Sequence, residues 1–181
     1  AAVTVAGSDT VTELVREREA DVGVTFNPSA LDGLTVEFER SIALGATMAR
    51  AHPLAKAKSL TLAQCLEYPV AWPARELSIR LILDRALGAR TLRQDRLFEC
   101  NSLRLMAALA RDGGSIAFQT LFGIERDVAE RSLMFIPLSD RKLMPSRVTL
   151  VHRPGLDRKT AAGAFLELAK QRLPRIFDVR K

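Results

Sequence analysis

Cysteine is nearly missing. Cys65 and Cys100 are the only two, far apart and outside any CxxC or His-paired spacing, which excludes a disulfide framework and a conventional zinc site. Both are expected as reduced, semi-buried thiols. Aromatic residues make up only 6% of the chain, so its strands must be built from aliphatic side chains. No apolar run approaches the roughly 18 to 20 residues that a membrane span needs. The first residues also lack the basic-then-apolar layout of a secretory leader, and a cytoplasmic location is the expectation. A block of one charge sign is absent too. The net charge of +6 is scattered, with Lys and Arg interleaved among Asp and Glu, which describes a solvated surface better than a nucleic-acid-binding face.

Catalytic signatures are equally wanting. There is no GxSxG elbow, no GxxxxGK[ST] phosphate loop, no GxGxxG fingerprint and no HExxH pair. His52 and His152 are the only histidines, too far apart in sequence to argue a metal site or a proton relay, and His52 before Pro53 reads as a turn residue. Glu19 and Asp21, two apart at a helix-to-strand junction, read as solvating and capping groups. No enzyme activity, metal or cofactor is expected.

What is present is 48% apolar residues in short runs that alternate between strand and helix, the pattern of an α/β protein with a mainly parallel sheet. Strands are expected at Val3 to Val5, Val22 to Phe26, Leu34 to Phe38, Ile42 to Met48, Tyr68 to Trp72, Arg96 to Cys100, Ser115 to Phe118, Leu133 to Leu138 and Val148 to His152. Thr10 and Glu13 have the spacing of a capping box and predict a helix start there. Further helices are predicted over Leu60 to Leu66, capped by Ser59 or Thr61, and over Ser78 to Leu87, ended by Gly88. Two more are predicted over Leu103 to Ala110 and Leu121 to Arg131. A last amphipathic helix should bury Ala162, Phe165, Leu166, Ala169 and Leu173 and end or restart at Pro174. No repeat and no low-complexity linker divides the chain.

Several segments, in order, resemble the regulatory domain of LysR-type transcriptional regulators. They are Gly7-Ser8 before a helix, then Glu19-Ala20-Asp21-Val22-Gly23-Val24, then Met48-Ala49-Arg50-Ala51-His52-Pro53-Leu54-Ala55. Leu62, Leu66 and Tyr68-Pro69-Val70 come next, followed by Glu99-Cys100-Asn101-Ser102-Leu103 and Ala110-Arg111-Asp112-Gly113-Gly114-Ser115-Ile116-Ala117. The resemblance spans nearly the whole chain and implies a type 2 periplasmic-binding-protein-like fold, α/β, with two Rossmann-like lobes joined by crossover strands. By analogy residues 1–66 plus 155–181 form lobe I and 67–154 lobe II, with Tyr68 to Trp72 crossing outward and Val148 to His152 returning. The family ordinarily opens with one more strand and helix, and with a winged helix-turn-helix that nothing here resembles. Where the family usually carries a leucine- and proline-like segment, this sequence has Phe118-Gln119-Thr120.

The resemblance implies a small-molecule effector, carboxylate-bearing or aromatic, bound between the lobes. It also implies a homodimer or homotetramer of the full-length regulator, and DNA contact only through the winged domain. In open α/β sheets ligands sit beyond the carboxyl ends of strands, where helix N-termini present free N–H groups. That rule selects four junctions: Gly7-Ser8-Asp9, Trp72-Pro73-Ala74-Arg75 before Ser78, Asn101-Ser102, and Gln119-Thr120. Asn101 and Ser102 are the favoured contacts, then Ser8 and Thr120. Phe26 and Asn27 can line the lobe I side, and Arg75 can pair a carboxylate in fork geometry. Trp72 either walls the cleft or packs in the core. Each short polar residue at these junctions reads as an ordinary helix cap as well. A solute-binding protein of a transport system and a small α/β enzyme are the competing readings of the same fold.

Overall fold

The computed structural model describes residues 2–88 and 97–177. In chain order the elements are α1 (Ser8–Arg16), β1 (Val22–Phe26), β2 (Thr35–Ile42), β3 (Gly45–Met48), a 3-10 turn (Pro53–Lys56), α2 (Leu62–Cys65), β4 (Val70–Pro73) and α3 (Ser78–Leu87). They continue with β5 (Leu97–Cys100), α4 (Leu103–Arg111), β6 (Ile116–Gln119), α5 (Glu125–Ala129), β7 (Met134–Pro137), β8 (Ser146–His152) and α6 (Ala161–Phe177). The chain divides into two compact units, residues 1–42 with 147–181, and residues 43–146.

Unit 1 carries a three-stranded sheet in the order β1-β8-β2, with β1 antiparallel to β8 from Val22↔His152 to Phe26↔Val148. Val15 on α1, Val148, Leu150 and Val151 on β8, and Leu166 and Leu173 on α6 are buried there. Two expectations fail at its N-terminal end. Residues 2–7 form no strand and Val3 and Val5 are more than nine-tenths exposed, because no neighbouring strand among the described residues pairs with them. The capping-box reading of Thr10 fails as well. The helix starts two residues earlier at Ser8, with Gly7 as an N-cap that makes no side-chain cap bond, so Thr10 sits inside the first turn.

In α6, Ala162, Leu166, Ala169 and Leu173 follow the predicted stripe, but Phe165 is 51% exposed. At about 100° per residue it falls on the edge of that stripe, outside the arc the sheet covers. Pro174 neither ends nor restarts the helix, which continues to Phe177.

Unit 2 carries a five-stranded sheet in the order β5-β4-β6-β3-β7. Strand β4 is parallel to β5 and β6, while β3 runs antiparallel to β6 and β7, so the sheets are mixed and not mainly parallel. Period-two alternation divides the strand residues between two cores. Val70, Trp72, Ile116 and Phe118 pack with Ile79, Ile82, Leu83 and Leu87 of α3. Ala71 and Ala117 point the other way, against Met106, Ala107 and Ala110 of α4. Both faces are thus covered, which is why these strands read as unbroken apolar runs. Gly88 ends α3 with φ of 62°, and Thr61 with Gln64 forms a reciprocal capping box on α2.

Pairing also corrects the expected lobe boundaries. β3 lies between β6 and β7, so the chain crosses into unit 2 at 42/43, well before Tyr68, and returns at 146/147. β4, expected as the outgoing crossing, is an interior strand of unit 2. The run Ile42 to Met48 splits between the units, with Ile42 ending β2 and Gly45 opening β3. The helix expected over Leu121 to Arg131 shrinks to α5, and Arg96, expected to open β5, lies outside the described residues.

Candidate functional site

In unit 2 the parallel strands β4, β5 and β6 finish at one edge of the sheet, in the register Trp72↔Glu99 and Pro73↔Cys100. α4 begins directly after β5. Its N-cap is Ser102, whose Oγ accepts from the Leu105 N–H at 3.3 Å. Cys100 stiffens the approach, its Sγ accepting from the Ser102 N–H at 3.3 Å. Asn101, between them, is exposed and its side chain has no partner among the described residues. Arg75, two residues beyond β4, is likewise exposed and unpaired. Ser78 is the first residue of α3, whose N-cap Leu77 offers no side-chain cap.

The other predicted residues of this unit are turned inward. Trp72 is fully buried against Phe118, ring centroids 5.4 Å apart at 80°, so it is a core residue and presents no surface to a ligand. Gln119 is 2% exposed and its Nε2 donates to Thr47 Oγ1 at 3.2 Å. Thr120 is 6% exposed and its Oγ1 accepts from the Phe122 N–H at 3.3 Å, a local turn contact.

In unit 1, Ser8, Phe26 and Asn27 come together. Ser8 Oγ accepts from the Phe26 N–H at 3.2 Å and Ser8 O accepts from Thr25 Oγ1 at 2.9 Å, which pins the start of α1 to the end of β1. Asn27 has φ of 48° and exchanges bonds with Arg147, Asn27 N–H to the carbonyl at 2.9 Å and Arg147 N–H to Oδ1 at 2.7 Å. Asp9 accepts from both the N–H and the hydroxyl of Ser29, at 2.8 and 2.9 Å, fixing the loop that follows. Thus Ser8 is a brace, not a helix cap.

An ionic cluster in unit 1 escapes sequence reasoning. Glu37 of β2 accepts from Lys170 Nζ at 2.9 Å, His152 Nε2 lies 2.9 Å from the same carboxylate, and Arg158 donates to it as well. The bonds from Lys170, His152 and Arg158 hold the Glu37 carboxyl down at about 2. His152 is buried and its Nδ1 lies 2.5 Å from the Arg153 carbonyl oxygen. Nothing in the sequence marks this cluster, because Glu37 is one of several polar residues of β2 and its partners lie more than a hundred residues further along the chain.

His52 is a turn residue, its Nδ1 accepting from the Leu54 N–H at 3.2 Å and its pKa lowered by burial. Burial, with the Asp140 carboxylate adding to it, pushes the Cys65 thiol up to about 12, leaving it inert at neutral pH. Among the described residues no group of three or more His, Cys, Asp or Glu is placed to hold a metal ion, and no helix is long and apolar enough to cross a membrane.

The model of the LysR substrate binding domain matches residues 2–174 of this sequence. The chain belongs to that family. LysR substrate binding domains have the type 2 periplasmic-binding-protein-like fold and are the effector-binding parts of transcriptional regulators. Solved structures agree on the fold. The effector binding domain of QuiR in complex with shikimate superposes with a TM-score of 0.67 at 12% identity, covering 93% of this chain and 78% of that one. A putative transcriptional regulator from Vibrio parahaemolyticus gives 0.70 at 17% identity over 96% and 79%. The BenM effector binding domain with benzoate gives 0.64 at 14% identity over 97% and 78%. Among curated proteins none matches the sequence significantly.

Proposed function

We propose that this LysR substrate binding domain senses a small metabolite bearing a carboxylate or an aromatic ring, with Asn101, Ser102 and Arg75 as its main contacts. One observation carries the reading. At the carboxyl rim of the parallel strands, beside the N-terminus of α4, an amide and a guanidinium both lack a partner among the described residues. A helix N-terminus and an unpaired arginine together suit an anionic group. Ser78 and Thr120 stand at the same sheet edge as further candidates, Thr120 after a small rearrangement of its turn. Ser8, Phe26 and Asn27, gathered within unit 1, are proposed as further ligand contacts.

A ligand moves a conformational equilibrium only by its differential affinity for the two states, so the response is a shift between two arrangements of the domain. In the full-length regulator this would act on a separate winged helix-turn-helix domain that touches DNA, in a cytoplasmic homodimer or homotetramer. The transport and enzyme readings share the fold but have no observation that favours them.

Thermal-shift titration tests the site. Shikimate and benzoate, named for two structural neighbours, open a panel of small carboxylates. A binder at 100 times its Kd should stabilise the domain by about 2.7 kcal/mol. Asn101→Ala and Arg75→Met should each remove most of that shift while leaving the ligand-free melting temperature unchanged. If both variants keep the full shift, the site lies elsewhere.

A further inference from the structure

At the opposite end of the unit 2 sheet lies a half-open groove of about 490 Å³. The register Gly45↔Gln119 places the start of β3 beside the carboxyl rim already described, whereas Met48↔Met134 places its end at the far edge. At about 3.3 Å per residue the two ends of β3 are about 10 Å apart. Arg50 just beyond β3, Lys56 of the 3-10 turn and Arg131 after α5 border this groove, and Leu133, Met134 and Phe135 contribute its apolar wall.

Three facts set it apart from ordinary surface. No acidic residue lines it. The carboxylates nearest in sequence are committed to other arginines, Asp127 to Arg111 at 3.2 Å and Arg104 at 3.5 Å, and Glu130 to Arg126 at 2.7 Å. Arg50, Lys56 and Arg131 therefore have no side-chain partner among the described residues. Finally, Arg131 is held at φ of 57°, the left-handed position after a helix that glycine fills at no steric cost, so a cation occupies a place where backbone chemistry favours another residue.

We propose that this groove is a second ligand site of the domain, for a small anion with an apolar body: a carboxylate or a phosphate monoester on an aromatic or short aliphatic group. The volume falls in the range of small-molecule sites, and the lining pairs a hydrophobic wall with a few converging cations, as such sites do. Like charges facing one another without a counterion repel, and a bound anion relieves that while its apolar part covers Leu133 and Phe135. The groove does not depend on the reading of the carboxyl rim.

Two-dimensional amide NMR of the whole domain tests it, with phenyl phosphate and phenylacetate as probes and 2-phenylethanol and inorganic phosphate as controls. Either or both aromatic anions should give saturable shifts at Ala55, Leu133 and Phe135, and which one does tells phosphate from carboxylate. The neutral alcohol and inorganic phosphate should bind at least roughly tenfold more weakly. Lys56→Met, and Arg131→Gly, which suits the left-handed backbone, should each weaken the anion roughly tenfold, while Asn101→Ala leaves it unchanged. The proposal is overturned if neither anion gives saturable shifts there up to about 10 mM, or if the two charge-removing variants bind as the wild type does.

Discussion

Glu37 shows how a single side chain can be decided by partners distant in sequence. His152, Arg158 and Lys170 converge on it from β8, the loop beyond and α6. Its carboxyl titrates at about 2 in the folded protein against an ordinary value of 4.5. Because the folded value is the lower one, the stabilisation is complete above about pH 4.5 and fades as acid carries the pH towards 2. Glu37→Gln should cost about 1–2 kcal/mol in urea unfolding at pH 7, a modest amount because Arg158 and Lys170 are both partly exposed and screened. The difference from wild type should shrink towards zero near pH 2, and an undiminished difference there would show that the charge is not what matters. Ser102 and Asn101 stand at the other extreme. Their types alone, short and polar between a strand and a helix, mark them as cap or contact, and in the structure Ser102 caps α4 while the Asn101 side chain has no partner among the described residues.

Elements were legible wherever local chemistry was strong. Thr61 with Gln64, Gly88 after α3 and the apolar runs of β1, β4 and β6 need no distant contact to be read. Val3 to Val5 has the composition of a strand but no ladder among the described residues, and composition cannot supply one. Phe165 shows the same limit in a helix, since the pattern locates a face but its width depends on what covers it. Packing of α6 supplies a sharper test. A Cβ on Gly163 would come within 2.5 Å of the Arg158 backbone, which cannot yield as a flexible side chain would. Gly163→Ala should therefore lower stability by about 1–3 kcal/mol in spite of its better helix propensity. Unchanged or raised stability would mean that the loop before α6 is free to move.

For the molecule as a whole, the decisive feature is the order in which the chain visits its two units. Unit 2 is one continuous stretch, 43–146, with its entire five-stranded sheet and both core clusters inside it, whereas unit 1 is assembled from residues 1–42 and 147–181. A fragment comprising residues 43–146 should fold alone and melt cooperatively by circular dichroism, while residues 1–42 alone should not, because β1 lacks β8. A fragment 43–146 with no cooperative transition would make the unit boundary untenable. The family and α/β class were readable from the ordered string of short motifs, since each reports a local turn, cap or buried strand. The lobe boundary was not, because it depends on β3 pairing with β6 and β7 far along the chain. By itself the amino-acid order determined most of the stretches that become helices and strands, through propensity, capping and apolar period. Only the tertiary structure decided that Trp72 is core, that Glu37 meets Lys170, Arg158 and His152, and that Arg50, Lys56 and Arg131 share a groove, because those facts are juxtapositions of segments that no local pattern encodes.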